Sequence, residues 1–235
     1  MAQQNHHPVV IVEGVAFWDS LYDEMKDFIS KKVPKEKIFI LPVNLIDWVG
    51  FPPSPEKSTN RVMKALDDTL KKVSAVFPGE PVNLVAHSGG GTVAMIYLLG
   101  KPYLGDVYEQ NVPINKLITL GTPYHSLETY GKLKSDFIFK HLDETFFDKV
   151  QVVSLTSNAW EGKLGGSLSN VASYYFYESV SGKGNLFGDG IVTVESCTLS
   201  GAENVVLEGI EHLPTPNTPW YGAKVGVEQW IDFLD

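Results

Sequence analysis

With 235 residues, 43 % of them hydrophobic and 20 % charged, the chain has the make-up of a globular protein and the length for one α/β domain with a sizeable core. A formal net charge of −9 argues against a nucleic-acid partner and against electrostatic docking on an anionic membrane. The one cysteine, Cys197, excludes an intrachain disulfide and suits a reducing compartment.

The polar start of the chain has no charged segment followed by an apolar one, so no signal peptide is expected. No apolar run approaches the roughly 20 residues of a membrane span. A cytoplasmic location is the expectation, with an organelle equally consistent. Pro8-Val9-Val10-Ile11-Val12 is a continuous β-branched run and reads as a buried parallel strand. The loop Glu13-Gly14-Val15-Ala16-Phe17-Trp18 follows it. Asp19 or Ser20 then caps a helix with Leu21, Met25, Phe28 and Ile29 on one face. Lys37-Ile38-Phe39-Ile40-Leu41 is a second strand, and residues 42–55 form a proline-rich loop.

Ser58 or Thr59 is expected to open the next helix, with Val62, Leu66, Leu70, Val73 and Phe77 at helical spacing and Pro78-Gly79 as its stop. The apolar run Val82-Asn83-Leu84-Val85-Ala86 then feeds His87-Ser88-Gly89-Gly90-Gly91, and an apolar helical stretch continues to Gly100. Further strands are expected at 115–120, 150–155 and 205–207. A closing helix carries Trp220, Val227, Trp230, Ile231 and Leu234 as core contacts. Strands alternating with helices predict an α/β fold: a mostly parallel central sheet with helices on both faces, in a single domain over 1–235. Two stretches fall outside that rhythm and read as lid or cap insertions. One is 124–149, rich in Phe and Leu; the other is 158–187, with Gly-Ser clusters and Tyr174-Tyr175-Phe176-Tyr177.

Strand, tight turn and helix around Ser88 are the pattern of a nucleophile elbow, in which the serine is held in a strained conformation with its hydroxyl projecting. The neighbours two residues either side must be tiny, and here they are Ala86 and Gly90. The alternative, a glycine-rich phosphate loop, would call for G-x-x-x-x-G-K-[ST] or G-x-G-x-x-G, and neither is present. A serine hydroxyl needs a base, and the base an orienting acid. Of His125, His141 and His212, the last stands just past the final strand, where a loop can return to the elbow. His87 points to the other side of the turn and reads as structural. For the acid, Asp189 sits between two glycines in Gly188-Asp189-Gly190-Ile191-Val192, a pattern shared with plain β-turns. Asp143, Asp148, Glu161 and Glu195 are rivals. An oxyanion formed on attack needs backbone N–H donors, expected from Gly89 after the serine and from Val15 in the first-strand loop. No metal-ligand spacing and no cofactor fingerprint is visible, so neither a metal nor a cofactor is expected.

Taken together, Ala86-His87-Ser88-Gly89-Gly90, the loop at 13–17, Leu120-Gly121-Thr122-Pro123, Gly188-Asp189-Gly190-Ile191-Val192 and His212 resemble the α/β-hydrolase superfamily. Within it the chain is similar to small lipase- and esterase-like lipid acyl hydrolases. The resemblance implies an α/β-hydrolase fold, Ser88 as nucleophile, His212 as base, Asp189 as acid, and Val15 with Gly89 as the oxyanion hole. It implies hydrolysis of carboxylic esters, of lipids or other acyl compounds, with a small-molecule or lipid ester as substrate and transient contact with a membrane surface allowed. Thioester hydrolysis or acyl transfer would use the same residues. A non-catalytic binding module on the same fold is the reading from another class.

Overall fold

In a computed structural model of the chain, residues 6–15, 19–214 and 218–235 are described. Six strands form one all-parallel sheet in the order β2-β1-β3-β4-β5-β8. They are β1 (Val9–Val12), β2 (Ile38–Ile40), β3 (Val82–His87), β4 (Ile114–Leu120), β5 (Gln151–Ser157) and β8 (Glu203–Leu207). A short antiparallel pair, β6 (Trp160–Glu161) with β7 (Phe187–Gly188), stands apart from it. The helices are α1 (Asp23–Ile29), α2 (Leu45–Val49), α3 (Pro55–Val76), α4 (Gly89–Leu98), α5 (Thr129–His141), α6 (Leu168–Ser181), α7 (Val194–Cys197) and α8 (Lys224–Trp230).

The β-branched runs form strands because both sheet faces are covered. Along β1, Val10 and Val12 enter one apolar cluster while Val9 and Ile11 enter the other. In β3, Leu84 and Ala86 face the first cluster and Val85 the second. Side chains that alternate across a sheet apolar on both faces read in sequence as unbroken hydrophobic runs. The first cluster holds Val62, Leu66 and Leu70 of α3 and Val93 of α4; the second holds Met25 of α1 and Val227 and Trp230 of α8. Every residue of α4 is buried, which explains a helix apolar on all sides.

Helix α1 begins at Asp23 with Tyr22 at its N-cap, after a 3-10 turn over Asp19–Tyr22, not at Asp19 or Ser20, and three other boundaries depart from the sequence expectation. First, α3 begins at Pro55, not at Ser58 or Thr59: Ser54 Oγ accepts from Lys57 N–H, and proline at the first helical position lacks the N–H that would be orphaned there. Second, the proline-rich loop contains α2, whose five residues are too few for a periodic signal. Its start is fixed by a capping box, Asn44 Oδ1 accepting from Ile46 N–H while Asp47 Oδ2 accepts from Asn44 N–H. Third, Trp220 is buried ahead of α8 rather than within it. In the 124–149 stretch, Ile138 and Phe146 are buried and Phe137, Leu142 and Phe147 pack against the first cluster. These side chains therefore serve the core. Residues 16–18 of the first-strand loop lie outside the described residues.

The sheet's order places β1 beside β3, with β2 on one side of this pair and β4, β5 and β8 on the other. The connections leaving β1 and β3 run in opposite directions, which opens a crevice at the carboxyl ends of the two strands. The Glu13-Gly14-Val15 loop and Ser88 both stand there.

Candidate active site

Ser88 joins β3 to α4 with φ 52° and ψ −128°. A positive φ on a residue with a Cβ costs on the order of 1–3 kcal/mol and persists where the surroundings enforce it. Here Ser88 N–H donates to Leu120 O at 2.8 Å, while Ser88 O accepts from Thr122 Oγ1 at 3.0 Å and from Gly91 N–H at 3.1 Å. The glycines that follow are set by close approach. A Cβ at Gly90 would overlap Glu13 O and stand 2.8 Å from Val12 O, and one at Gly91 would overlap Thr122 Oγ1. Gly90→Ala is therefore expected to lower stability by about 1–3 kcal/mol, because backbone atoms of β1 cannot swing aside. Denaturant midpoints measure it, and a variant as stable as the parent would contradict this packing.

His212 Nε2 lies 2.9 Å from Ser88 Oγ, and His212 Nδ1 lies 2.8 Å from Asp189 Oδ2. Both His212 and Asp189 are buried. A backbone bond, His212 N–H to Asp189 O at 2.9 Å, ties the two loops together. The Asp189 carboxylate has a full set of donors. Oδ1 accepts from Ile191 N–H at 3.1 Å and Val192 N–H at 2.9 Å, and Oδ2 accepts from Tyr221 O–H at 2.9 Å as well as from the imidazole. A carboxylate so engaged fixes the proton of His212 on Nδ1 and leaves the Nε2 lone pair facing the Ser88 hydroxyl. Burial, with Asp189 beside it, pushes the Tyr221 phenol far up, so it remains a donor.

Gly121 makes this contact possible. Its φ is +55°, and a Cβ there would stand 2.6 Å from Asp189 Oδ2 and 3.0 Å from His212 Nδ1. The Leu120-Gly121-Thr122 stretch thus serves twice: the glycine leaves room for Asp189 and His212, and the threonine pins Ser88. Tyr177 of α6 steadies the Asp189 turn, its Oη accepting from Gly190 N–H at 2.9 Å and donating to Trp160 O at 3.1 Å.

Gly89 begins α4, so its N–H lacks an intrahelical acceptor and lies at the positive end of the helix dipole. The Val15 side chain packs directly over Gly89. Gly14 N–H is engaged, donating to Tyr22 Oη at 2.7 Å, and Tyr22 Oη lies 2.7 Å from His87 Nδ1. His87 does not point away from the site: its ring centroid lies 4.8 Å from that of His212, and burial, with His212 beside it, pushes it well down, so it stays neutral. It therefore ties the first-strand loop to β3, in keeping with a structural place for it. His125 stacks on Phe139 and His141 packs on Phe137, away from Ser88. The rival acids Asp143, Asp148, Glu161 and Glu195 are all exposed.

A cavity of about 480 Å³ opens beside Ser88 and Gly89. Its walls include Val15, Trp48, Pro123, Phe176, Ile191 and Val192. From α5 it receives Tyr130, Gly131 and Lys134, and none of the phenylalanines of 124–149. Three residues of this surrounding structure went unmarked in the sequence: Tyr221, Tyr177 and Lys134. Lys134 alone left a trace, as a cation three residues after Gly131 and four before Ile138 on what proves to be the buried face of α5. Among the described residues no group of His, Cys, Asp and Glu is arranged to hold a metal ion, and no helix is long and apolar enough to cross a membrane.

No family model matches the sequence, and no curated protein matches it either. Solved structures do match over nearly the whole chain. Phospholipase PlaB from Legionella pneumophila is 14 % identical with a TM-score of 0.58, over 97 % of this chain and 61 % of its own. A Lactobacillus plantarum WCFS1 protein, provisionally described as a cell surface hydrolase, is 12 % identical with a TM-score of 0.57, over 99 % of this chain and 91 % of its own. The lin2722 product of Listeria innocua is 14 % identical with a TM-score of 0.52, over 96 % and 93 %. At such identities the likeness is one of fold.

Proposed function

We propose that this chain, which has the α/β-hydrolase fold, is a serine hydrolase of carboxylic esters acting through Ser88, His212 and Asp189. The observation that carries the reading is the continuous hydrogen-bonded line from Ser88 Oγ through His212 to Asp189 Oδ2, with the serine held at positive φ. His212 Nε2 accepts the hydroxyl proton as Ser88 Oγ attacks the acyl carbonyl, and Asp189 stabilises the imidazolium that results. The N–H groups of Gly89 and Val15 receive the oxyanion. Collapse of the tetrahedral species breaks the bond to the alcohol oxygen, which takes the proton back from His212. Water, deprotonated by the same imidazole, then releases the acid from Ser88.

The apolar walls beside the serine suit an acyl chain, which favours lipid or other long acyl esters. In this reading 124–149 and 158–187 form the cap, contributing α5 and α6 to that cavity. The test is covalent labelling with a fluorophosphonate under native conditions, combined with a p-nitrophenyl ester series from C2 to C16. Labelling at Ser88 and turnover with an optimum beyond C4 are expected. A folded protein that neither labels nor turns over any ester would leave the binding-module reading in its place, and a preference for acetyl esters would remove the lipid assignment.

A further inference from the structure

Lys134 is the one lysine bordering the cavity beside Ser88, and it is 7 % exposed. It lies on the face of α5 that also buries Gly131, Ser135 and Ile138. Its Nζ is 3.2 Å from the point where a Gly89 Cβ would stand, which puts the ammonium next to the residue that follows the nucleophile. A lysine filling space at a protein surface runs its stem along apolar groups and leaves its head in water. This one turns its head inward, to a cavity walled largely by apolar side chains.

Among the described residues none pairs with it directly, although Glu128 lines the same cavity. No carboxylate forms an ion pair with it and no acceptor hydrogen-bonds it, whereas its neighbour Lys132 pairs with Asp136. The carboxylate that acts on it from a distance, Glu128, is spent on α5 itself: Oε1 accepts from Tyr130 N–H at 3.0 Å and Oε2 from Gly131 N–H at 2.8 Å. The Trp48 ring, 5.9 Å away at its centroid, gives a contact at the outer limit of cation–π range. Burial lowers the ammonium to about 8, which still leaves it mostly charged at neutral pH. A methionine would fill the same space without the cost of a buried, unpaired cation. An anion that arrives with the substrate removes that cost.

We propose that Lys134 is an anion subsite next to the nucleophile, and that the preferred substrate is an ester carrying a carboxylate or phosphate a few bonds from its scissile carbonyl. The inference rests on Ser88 being the nucleophile toward esters. Because the Lys134 ammonium is charged before reaction begins, it holds the anion in the bound substrate and in the transition state alike, and so sets specificity.

Two matched pairs of substrate test it and separate the two places an anion can occupy. Mono-p-nitrophenyl glutarate against its methyl-capped neutral counterpart puts the charge on the acyl side. A 1-acylglycerol 3-phosphate against the 1-acylglycerol puts it on the alcohol side. In at least one pair the charged member is expected to have the higher kcat/KM, by about 10- to 100-fold for a charge-assisted contact. Lys134→Met is expected to bring that ratio to near unity, and Lys134→Arg to keep most of it. Equal kcat/KM within both pairs for the parent protein would overturn the proposal, whatever becomes of the Met variant. So would a ratio that Lys134→Met leaves unchanged while both members slow together, which would make the lysine an oxyanion donor or a packing residue. Absence of Ser88-dependent turnover of all four esters would instead remove the ester-hydrolase reading, and this inference with it.

Discussion

Ser88→Ala is expected to lower kcat on any ester the protein turns over by about 10⁴-fold or more, with little change in KM. The hydroxyl is the only group of the protein that forms a bond to carbon in the proposed reaction, and no second nucleophile lies within reach of His212 Nε2 among the described contacts. What remains should be the small acceleration that an oxyanion site and a bound substrate give to water attack. The fold should tolerate the change, because Ser88 is held at φ 52° by bonds to its backbone rather than to its hydroxyl, and alanine keeps the same Cβ and the same backbone strain. Steady-state kinetics on the best ester, with thermal melting as the control, measures both. A variant within about tenfold of the parent would remove Ser88 from the chemistry.

Asp189→Asn should cost nearly as much, on the order of 10³- to 10⁴-fold in kcat, though it changes one atom and no volume. The reason lies in how the carboxylate is held. Oδ1 accepts two backbone N–H groups, from Ile191 and Val192, so the oxygen of an asparagine is forced to that side. Its amide NH₂ then faces His212 Nδ1 and the Tyr221 hydroxyl, where the native oxygen accepts from both. Nδ1 must become an acceptor and the ring proton moves to Nε2, pointing at Ser88. The imidazole can no longer take the serine's proton. An Asn variant that keeps its melting temperature and loses its rate fits this account; one that keeps its rate would assign the acid's role elsewhere.

The sheet was legible because each strand is a short apolar run, and α3 because of its helical spacing, α4 as an unbroken apolar stretch; α5 and α6 were not, since the stretches that hold them read only as insertions. The start of α3 was missed because Ser58 and Thr59 look like caps, while Ser54-Pro55 actually cap and open it. At the site, small residues flanking Ser88 and glycines flanking Asp189 nominated positions, and the fold brings those two residues and His212 into contact. The positions of Tyr221, Tyr177 and Lys134 were not legible in the same way. A tyrosine that steadies a carboxylate looks in sequence like any core tyrosine, since only tertiary packing sets it against its partner. Lys134 lies in the 124–149 stretch, which the sequence marked only as an insertion, and which of its lysines turns inward depends on how α5 docks.

The three bonded side chains are far apart along the chain: 124 residues separate Ser88 from His212, and 23 separate His212 from Asp189. The elbow itself needs only β1, β3 and β4. In the proposed reaction its base, His212, follows β8, an edge strand and the last of the six in the chain. On the proposed reading the Ser88 hydroxyl therefore has no proton acceptor, and stays an ordinary alcohol, until β8 has joined the sheet and brought His212 to it. In that reading, labelling of Ser88 by a fluorophosphonate reports that the end of the polypeptide has docked, and a chain short of that step is expected to stay unlabelled.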